Sequence, residues 1–235
     1  FTEIYNHMLK NYRNEYIYKN TLLNKLLLGR HSLNTTTALT EVPVGKSKAD
    51  FILINGSAIV YEIKTELDTL NRLKGQLEDY FKAFKKVCVI TSESNFKQVD
   101  SILKNTNVGI CILTKRNTIS TKKEPIPDSS KLNSDSMFKI LRKSEYERII
   151  KLHYRELPKV RQVEYYKKCN NLFNNIDVEI SYKYMLSELK KRNQVDKNYF
   201  KNKIPYELKF LVYFLNFNKN DYLVLERFLN NNFRR

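Results

Sequence analysis

Residues 41–91 read EVPVGKSKADFILINGSAIVYEIKTELDTLNRLKGQLEDYFKAFKKVCVIT, and the elements that they predict decide the fold. Three short apolar runs lie at residues 37–44, 49–54 and 57–63, close enough together for a meander of strands. The last two runs are joined by Asn55–Gly56, a two-residue sequence that strongly favours a β-hairpin. We therefore predict three consecutive strands, each next to its neighbour in the chain.

Helices and buried strands surround this meander in the sequence. Residues 69–84 carry an apolar stripe at helical spacing, whereas the runs KVCVIT and VGICIL are typical of strands buried on both faces. The predicted helices are residues 1–29, 69–84 and 96–103, and the further strands are residues 86–91 and 108–113. This order predicts an α/β fold in which a mixed sheet has helices on both faces.

A polar segment at residues 115–136, which contains Pro125 and Pro127, is the predicted boundary between two parts of the chain. We predict one domain at residues 1–124 and an all-helical, basic C-terminal domain at residues 125–235. Its predicted helices are residues 135–156, 161–175, 178–192, 206–216 and 221–229. The mixture of cations and tyrosines there fits a nucleic-acid surface, although solvated helix faces over an aromatic core fit somewhat better.

The charge balance is the first indication of function. The chain has 42 Lys and Arg against 25 Asp and Glu, a formal net charge of +17, and the excess is spread along the sequence. Such a surplus favours a polyanionic partner, because neutralised phosphates release counterions and the field steers association. A basic protein without such a partner is the alternative.

Other features of the sequence exclude or disfavour several classes of protein. No apolar run approaches the roughly 18–20 residues of a membrane-spanning helix, and no signal-peptide pattern is present. Cys88 and Cys111 lie in apolar runs, which predicts buried thiols and a reducing, cytoplasmic environment. The histidines are isolated and no C-x-x-C occurs, which argues against a zinc or iron–sulfur site. Phe1 indicates that a start segment is missing or that the chain was cut from a longer polypeptide.

Three charged residues converge in the predicted meander. Alternate residues of a strand point to one face, so Glu62 and Lys64 project side by side. Pairing about Asn55–Gly56 places Asp50 opposite Glu62, within about one residue. Neighbouring carboxylates repel each other and burial adds to the cost, whereas a divalent cation removes the penalty. Carboxylates with room for water and phosphate oxygens suit Mg²⁺.

The E-x-K pattern alone is not specific, because this chain contains it three times. The copies at residues 188–190 and 207–209 lie in predicted helices and have no hairpin partner. Only the copy at residues 62–64 follows an acidic residue across a strand turn. An ordinary ion pair at a strand end, with Asp50 as a turn residue, is the alternative, and the spacing does not decide between them.

Residues 41–91 resemble the PD-(D/E)xK nuclease superfamily, and most closely a bacterial and phage branch of it. The shared features are an acidic residue, a basic–Asp strand, YEIK, an acidic loop and a Leu-rich helix with Arg-Leu, Gln and Tyr. Here they are Glu41, Lys48, Asp50, residues 61–64, Asp68, Arg72, Leu73, Gln76 and Tyr80. Ala49 departs from the proline that usually precedes the first Asp, and the cysteine cluster of iron–sulfur relatives is absent.

The resemblance implies a restriction-endonuclease-like fold and a metal-dependent active site. Asp50, Glu62 and the carbonyl of Ile63 would hold one or two Mg²⁺ or Mn²⁺ ions, and Lys64 would orient or deprotonate the attacking water. Glu41 would be a further ligand or base, and Glu3 and Glu15 of the first helix are its rivals.

The resemblance also implies a substrate surface. The motif Gln76-x-x-x-Tyr80 is similar to the one that follows the catalytic lysine in nucleases related to the RecB-type exonucleases. It would contact the substrate together with Arg72 and Lys48. Two alternatives remain: Tyr80 also fits a core residue, and Asp68 fits the N-cap of the helix after it.

The expected function is therefore that of a Mg²⁺-dependent phosphodiesterase, with DNA favoured over RNA as its partner. One alternative is a nuclease-fold protein that binds nucleic acid without catalysis. Another is a nuclease toxin domain controlled by a protein partner. Exonuclease or endonuclease action, sequence preference and assembly into a homo-oligomer stay open.

Overall fold

The computed structural model describes residues 1–192, 195–215 and 217–230, and its centre is a six-stranded sheet. The strands are β1 (Thr37–Val44), β2 (Ser47–Asn55), β3 (Ser57–Lys64), β4 (Lys86–Ser92), β5 (Gly109–Leu113) and β6 (Ile119–Lys123). They lie in the sheet in sequence order, with β3, β4 and β5 parallel and the other neighbours antiparallel. The predicted mixed sheet and its first three strands are confirmed.

Helices precede, interrupt and follow the strands. They are α1 (Thr2–Asn11), α2 (Glu15–Leu22), α3 (Leu73–Phe81), α4 (Phe96–Leu103), α5 (Ser134–Ile140), α6 (Lys143–Tyr154), α7 (Gln162–Asn174), α8 (Val178–Lys190), α9 (Lys197–Lys203), α10 (Lys209–Phe214) and α11 (Lys219–Asn230). A π-helical turn at Leu23–Leu28 continues α2, and a 3-10 turn at Tyr206–Leu208 precedes α10. Within the described residues, no helix has both the length and the hydropathy that crossing a bilayer would require.

Two apolar cores lie on opposite faces of the sheet. One face is covered by α3 to α8 and is called the α3 face; the other is covered by α1, α2 and α9 to α11 and is called the α2 face. Strand β3 shows the alternation, because Val60 belongs to the α3 face and Tyr61 to the α2 face. Residues beyond position 125, such as Phe138 and Phe200, contribute to these same cores, and the division into two domains stays a prediction.

The β1–β2 hairpin is fastened to α3 by Asp79. Its Oδ2 accepts hydrogen bonds from the backbone N–H of Lys46 at 3.0 Å and from Oγ of Ser47 at 2.8 Å. Gly45 has φ +62, and a Cβ there would lie 2.6 Å from Oδ1 of Asp79. Glycine is required by both backbone and space, and the contact sets α3 over the strands that carry Asp50 and Glu62.

Several predicted boundaries were wrong for local reasons. The predicted helix at residues 1–29 is broken before α2, where the Asn14 side chain accepts from the N–H of Ile17. The predicted helix at residues 135–156 is divided between α5 and α6, because Glu145 accepts from the N–H of Arg142 and starts a new helix.

Two elements were not predicted at all. Strand β6 lies inside the polar segment taken as the boundary, and its side chains are at most partly buried. Helix α9 buries only Phe200 and so lacks an apolar stripe. The predicted helix at residues 206–216 begins as the 3-10 turn, and its predicted end at Asn216 lies outside the described residues.

Candidate active site

The pairing of β1 with β2 is interrupted at the row that contains Glu41 and Asp50. The strands pair at Thr40–Phe51 and again at Val42–Ala49, but not between. Glu41 has φ 54, a region that few residues other than glycine adopt. Ala49 and Ile52 are three residues apart and would normally point to opposite faces, yet both belong to the core of the α3 face. The two acids therefore occupy an irregular row, outside the regular pleat.

Three carboxylates meet at this row. Oxygen atoms of Glu15, Glu41 and Asp50 all lie within 4.8 Å of one another, and we call these residues the acidic trio. Glu15 comes from the first turn of α2, so the helix and two strands each supply part of the group.

The trio contacts a buried ammonium group. Lys19 of α2 is 7% exposed, and its Nζ lies 2.5 Å from Oε1 of Glu15 and also binds Oε1 of Glu41. Burial alone would lower the pKa of Lys19, but the hydrogen bonds to Glu15 and Glu41 outweigh it and raise that pKa. Lys19 therefore stays charged and neutralises part of the trio.

Asp50 is the member of the trio whose pKa is raised by its surroundings. Its Oδ2 accepts a hydrogen bond from the backbone N–H of Ile63 at 2.7 Å. Burial raises the pKa of Asp50 to about 8; the charge of Glu62 adds to the rise, and the Ile63 hydrogen bond opposes it. Without additional positive charge, Asp50 holds a proton at neutral pH.

A second cluster lies on the α3 face and is called the E-x-K set: Glu62, Lys64, Gln76 and Tyr80. Glu62 is 1% exposed, and its Oε1 lies 3.0 Å from Nζ of Lys64. The same ammonium donates to Oε1 of Gln76 at 2.9 Å. The hydroxyl of Tyr80 lies 2.6 Å from Oε2 of Glu62 and 2.6 Å from the carbonyl oxygen of Lys48, so it can donate to either. Gln76 and Tyr80 therefore hold the two charged side chains of β3 from one face of α3.

The residues present fit a divalent cation. The acidic trio brings three carboxylates together beside Lys19, whereas Glu62, which was predicted as a ligand, lies outside this group and contacts Lys64 and Tyr80. Carboxylate oxygen is the ligand that Mg²⁺ and Mn²⁺ prefer, and an ion would replace the proton held by Asp50. The carbonyl of Ile63 as a ligand stays a prediction, because the structure shows only its N–H in contact with Asp50.

The remaining predicted residues lie around the site with different contacts. The side chains of Lys48 and Arg72 are exposed, and Lys48 reaches the E-x-K set only through its carbonyl oxygen. Asp68 does not cap α3, so that interpretation was wrong. The helix begins only at Leu73, and the carboxylate of Asp68 binds the N–H and hydroxyl of Thr65 at 2.7 Å each. Glu3 lies on α1, outside the acidic trio.

Lys19 was missed from the sequence. The spacing of Glu15 and Lys19 by four residues predicts an ion pair on a helix, but such pairs are common on exposed helix faces. What gives Lys19 its place is the docking of α2 against β1, which buries the ammonium beside Glu41. No local pattern carries that information.

Comparison with known proteins assigns the chain to a family. Residues 8–211 match the family model described as bacteriophage P4 protein cII. "Protein cII" of Enterobacteria phage P4 is 30% identical over 88 residues, which are 37% of this chain and 33% of the phage protein, so the alignment spans about a third of that relative. No solved structure matches the chain significantly. Because the family model covers most of the sequence, the chain belongs to the bacteriophage P4 protein cII family.

Proposed function

We propose that this protein is a divalent-metal-dependent nuclease that hydrolyses phosphodiester bonds, with DNA as its substrate. The observation that carries the proposal is the unbalanced charge around Asp50. This carboxyl group is half-buried and lies within 4.8 Å of the carboxylate oxygens of Glu15 and Glu41, and burial together with the charge of Glu62 raises its pKa to about 8. A structural ion pair has no need of such an arrangement.

In this proposal, the acids of the site bind the metal ion, and Lys64 contacts the phosphate. Asp50, Glu41 and Glu15 would hold the ion, with Glu62 next to them. When bound, the ion would supply positive charge to the scissile phosphate and lower the pKa of a water molecule. Lys64 is fixed between Glu62 and Gln76 and would bring its ammonium to the transferring phosphoryl group. Tyr80 would keep Glu62 in position.

The family and the relative neither support nor oppose the proposal. Their names state no activity, and the aligned relative is matched over a third of its length. The proposal therefore depends on the geometry of the acidic trio and the E-x-K set. A cytoplasmic location is part of it, because Cys88, Cys111 and Cys169 are free, buried thiols of the kind that persist in a reducing compartment.

Cleavage assays on several substrates test the proposal. Supercoiled plasmid, linear duplex, single-stranded DNA and tRNA are incubated with the protein in Mg²⁺, Mn²⁺ or EDTA. We expect DNA to be cut with either metal, EDTA to stop the reaction, and Asp50→Ala and Lys64→Ala to abolish it.

The matched control is Glu188→Gln, which changes a buried glutamate of a helical E-x-K and should leave cleavage unchanged. Cutting that survives EDTA, or survives both active-site substitutions, would contradict the assignment. Binding of DNA without any cleavage would favour a nuclease-fold binding protein, and preferential cutting of tRNA would overturn the choice of DNA.

A further inference from the structure

A cavity of about 870 Å³ opens between the α1–α2 junction and the carboxyl ends of β4 and β5. Arg13 and Tyr18, which form part of its wall, lie on either side of Glu15 in the chain. Glu66, another wall residue, follows Lys64 by two positions. The lining of the cavity therefore includes near sequence neighbours of two site residues, and we call it the α1–β5 cavity.

The lining of the α1–β5 cavity has more cations than anions. Its charged residues are Lys10, Arg13, Lys115 and Arg116 against Glu66 and Glu93. The guanidinium of Arg13 is held in place, because it donates to the carbonyl oxygens of Leu9, Thr114 and Lys115 at 2.8, 2.6 and 2.6 Å. It thereby joins the end of α1 to the turn between β5 and β6.

Two of the exposed cations lie together on the β5–β6 turn. Lys115 and Arg116 are exposed at the β5–β6 turn, and neither side chain forms an ion pair within the described part of the chain. Positive groups on an exposed turn suit the phosphates of a nucleic acid.

An aromatic residue stands next to these cations. Tyr12 lines the cavity at the end of α1 and is 55% exposed. Exposed aromatic rings beside a basic groove provide stacking surfaces for unpaired bases, whatever their sequence. A paired base is already stacked within its duplex and has no free face to offer.

We propose that the α1–β5 cavity binds single-stranded DNA next to the scissile bond, with phosphates at Lys115 and Arg116 and a base on Tyr12. Its volume lies within the roughly 300–1,000 Å³ of small-ligand sites, which suits single nucleotides rather than a whole duplex. The protein then acts on single strands and frayed ends in preference to intact duplex. This inference rests on the proposed nuclease function.

Binding in EDTA tests the inference without requiring catalysis. The probes are a labelled single-stranded oligonucleotide and the blunt duplex of the same sequence, measured by fluorescence anisotropy over a range of salt concentrations. We expect the single strand to bind at least about ten-fold more tightly than the duplex at equal salt.

Charge reversal of the turn provides the specific test. Lys115→Glu with Arg116→Glu should weaken single-strand binding at least about ten-fold and lower the salt slope by about 1.4, since each phosphate contact contributes roughly 0.7. The matched control is Lys25→Glu with Arg30→Glu, which makes an equal charge change on two exposed residues. Lys25 lies in the π-helical turn that continues α2, and Arg30 follows that turn. Equal losses in the two double variants, or tighter binding of the duplex by the wild type, would overturn the inference.

The stacking contact has its own pair of variants. Tyr12→Ala should weaken single-strand binding by about 5- to 100-fold, whereas Tyr12→Phe keeps the ring and should stay within about two-fold of wild type. Equal affinities of Tyr12→Ala and wild type would exclude the stacking role.

The two proposals fail in different ways. If the oligonucleotide binds as expected but no strand is cut in Mg²⁺, the nuclease proposal fails alone. If DNA is cut but Lys115→Glu with Arg116→Glu has no effect on single strands, the cavity inference fails alone.

Discussion

The chain contains two buried E-x-K glutamates that look alike in sequence and differ in their surroundings. Glu62 of β3 is 1% exposed and Glu188 of α8 is 5% exposed. Glu188 receives hydrogen bonds from Arg148 at 2.6 and 2.8 Å and from Lys191 at 2.6 Å. Glu62 has one cation, Lys64, at 3.0 Å.

The electrostatic consequences are opposite at the two places. Burial alone would raise the pKa of Glu188, but the hydrogen bonds from Arg148 and Lys191 outweigh it and lower that pKa. Beside Glu62, the pKa of Asp50 rises to about 8. Burial of an acid by itself therefore does not distinguish the two places; the number of cations that contact the acid does.

The largest expected difference between the two glutamates is in cleavage. Glu62→Gln should lower the rate by about 1,000-fold or more, because the carboxylate that positions Lys64 in the proposed active site is lost. Glu188→Gln should stay within about two-fold of wild type. Single-turnover cleavage of single-stranded DNA with Mg²⁺ measures both rates, and equal losses in the two variants would show that Glu62 has no special role in catalysis.

The next largest effect is on stability without metal. Asp50→Asn should raise the free energy of unfolding by about 1–3 kcal/mol at pH 7 in EDTA, since the amide needs no proton to stay neutral. An unfolded Asp titrates near 3.9, so the folded wild type loses stability relative to Asp50→Asn as the pH rises from about 4 to about 8. Urea unfolding at pH 5, 6, 7 and 8 measures the difference, and a constant difference would contradict the raised pKa.

A smaller effect is expected from the hydroxyl that holds Glu62. Tyr80→Phe should lower the cleavage rate about ten-fold, because Oε2 of Glu62 loses a donor at 2.6 Å. The matched control is Tyr165→Phe, which removes a hydroxyl 2.9 Å from Glu147 on the outer helices. A rate loss shared by both variants would point to general loosening of the fold.

The smallest expected effect is on the stability of the helical E-x-K. Glu188→Gln should lower the free energy of unfolding by about 1 kcal/mol, because Arg148 and Lys191 are more than half exposed and keep their hydration. Thermal unfolding of this variant beside Asp50→Asn should give shifts of opposite sign. A gain in stability for Glu188→Gln would contradict the balanced charge of that site.

The sequence predicted the parts of the fold that local patterns determine. The hairpin at Asn55–Gly56 and the apolar strands predicted the neighbours of β2, whereas the joint active-site role of Asp50, Glu62 and Lys64 stays a prediction. The polar strand β6 and the short helix α9 have no such pattern and were missed. The acidic trio needed tertiary information, because Glu15 and Lys19 join Glu41 only when α2 packs against the sheet.

The dependence of stability on Mg²⁺ at pH 8 is the sharpest test of whether Asp50 and its neighbours bind a divalent cation. We expect Mg²⁺ to raise the free energy of unfolding of the wild type, by about 2.7 kcal/mol at a hundred times its Kd. Binding should be weaker at pH 6, where Asp50 keeps its proton, and Asp50→Asn should lose the stabilisation. No stabilisation of the wild type, or equal stabilisation of the wild type and Asp50→Asn, would contradict the account.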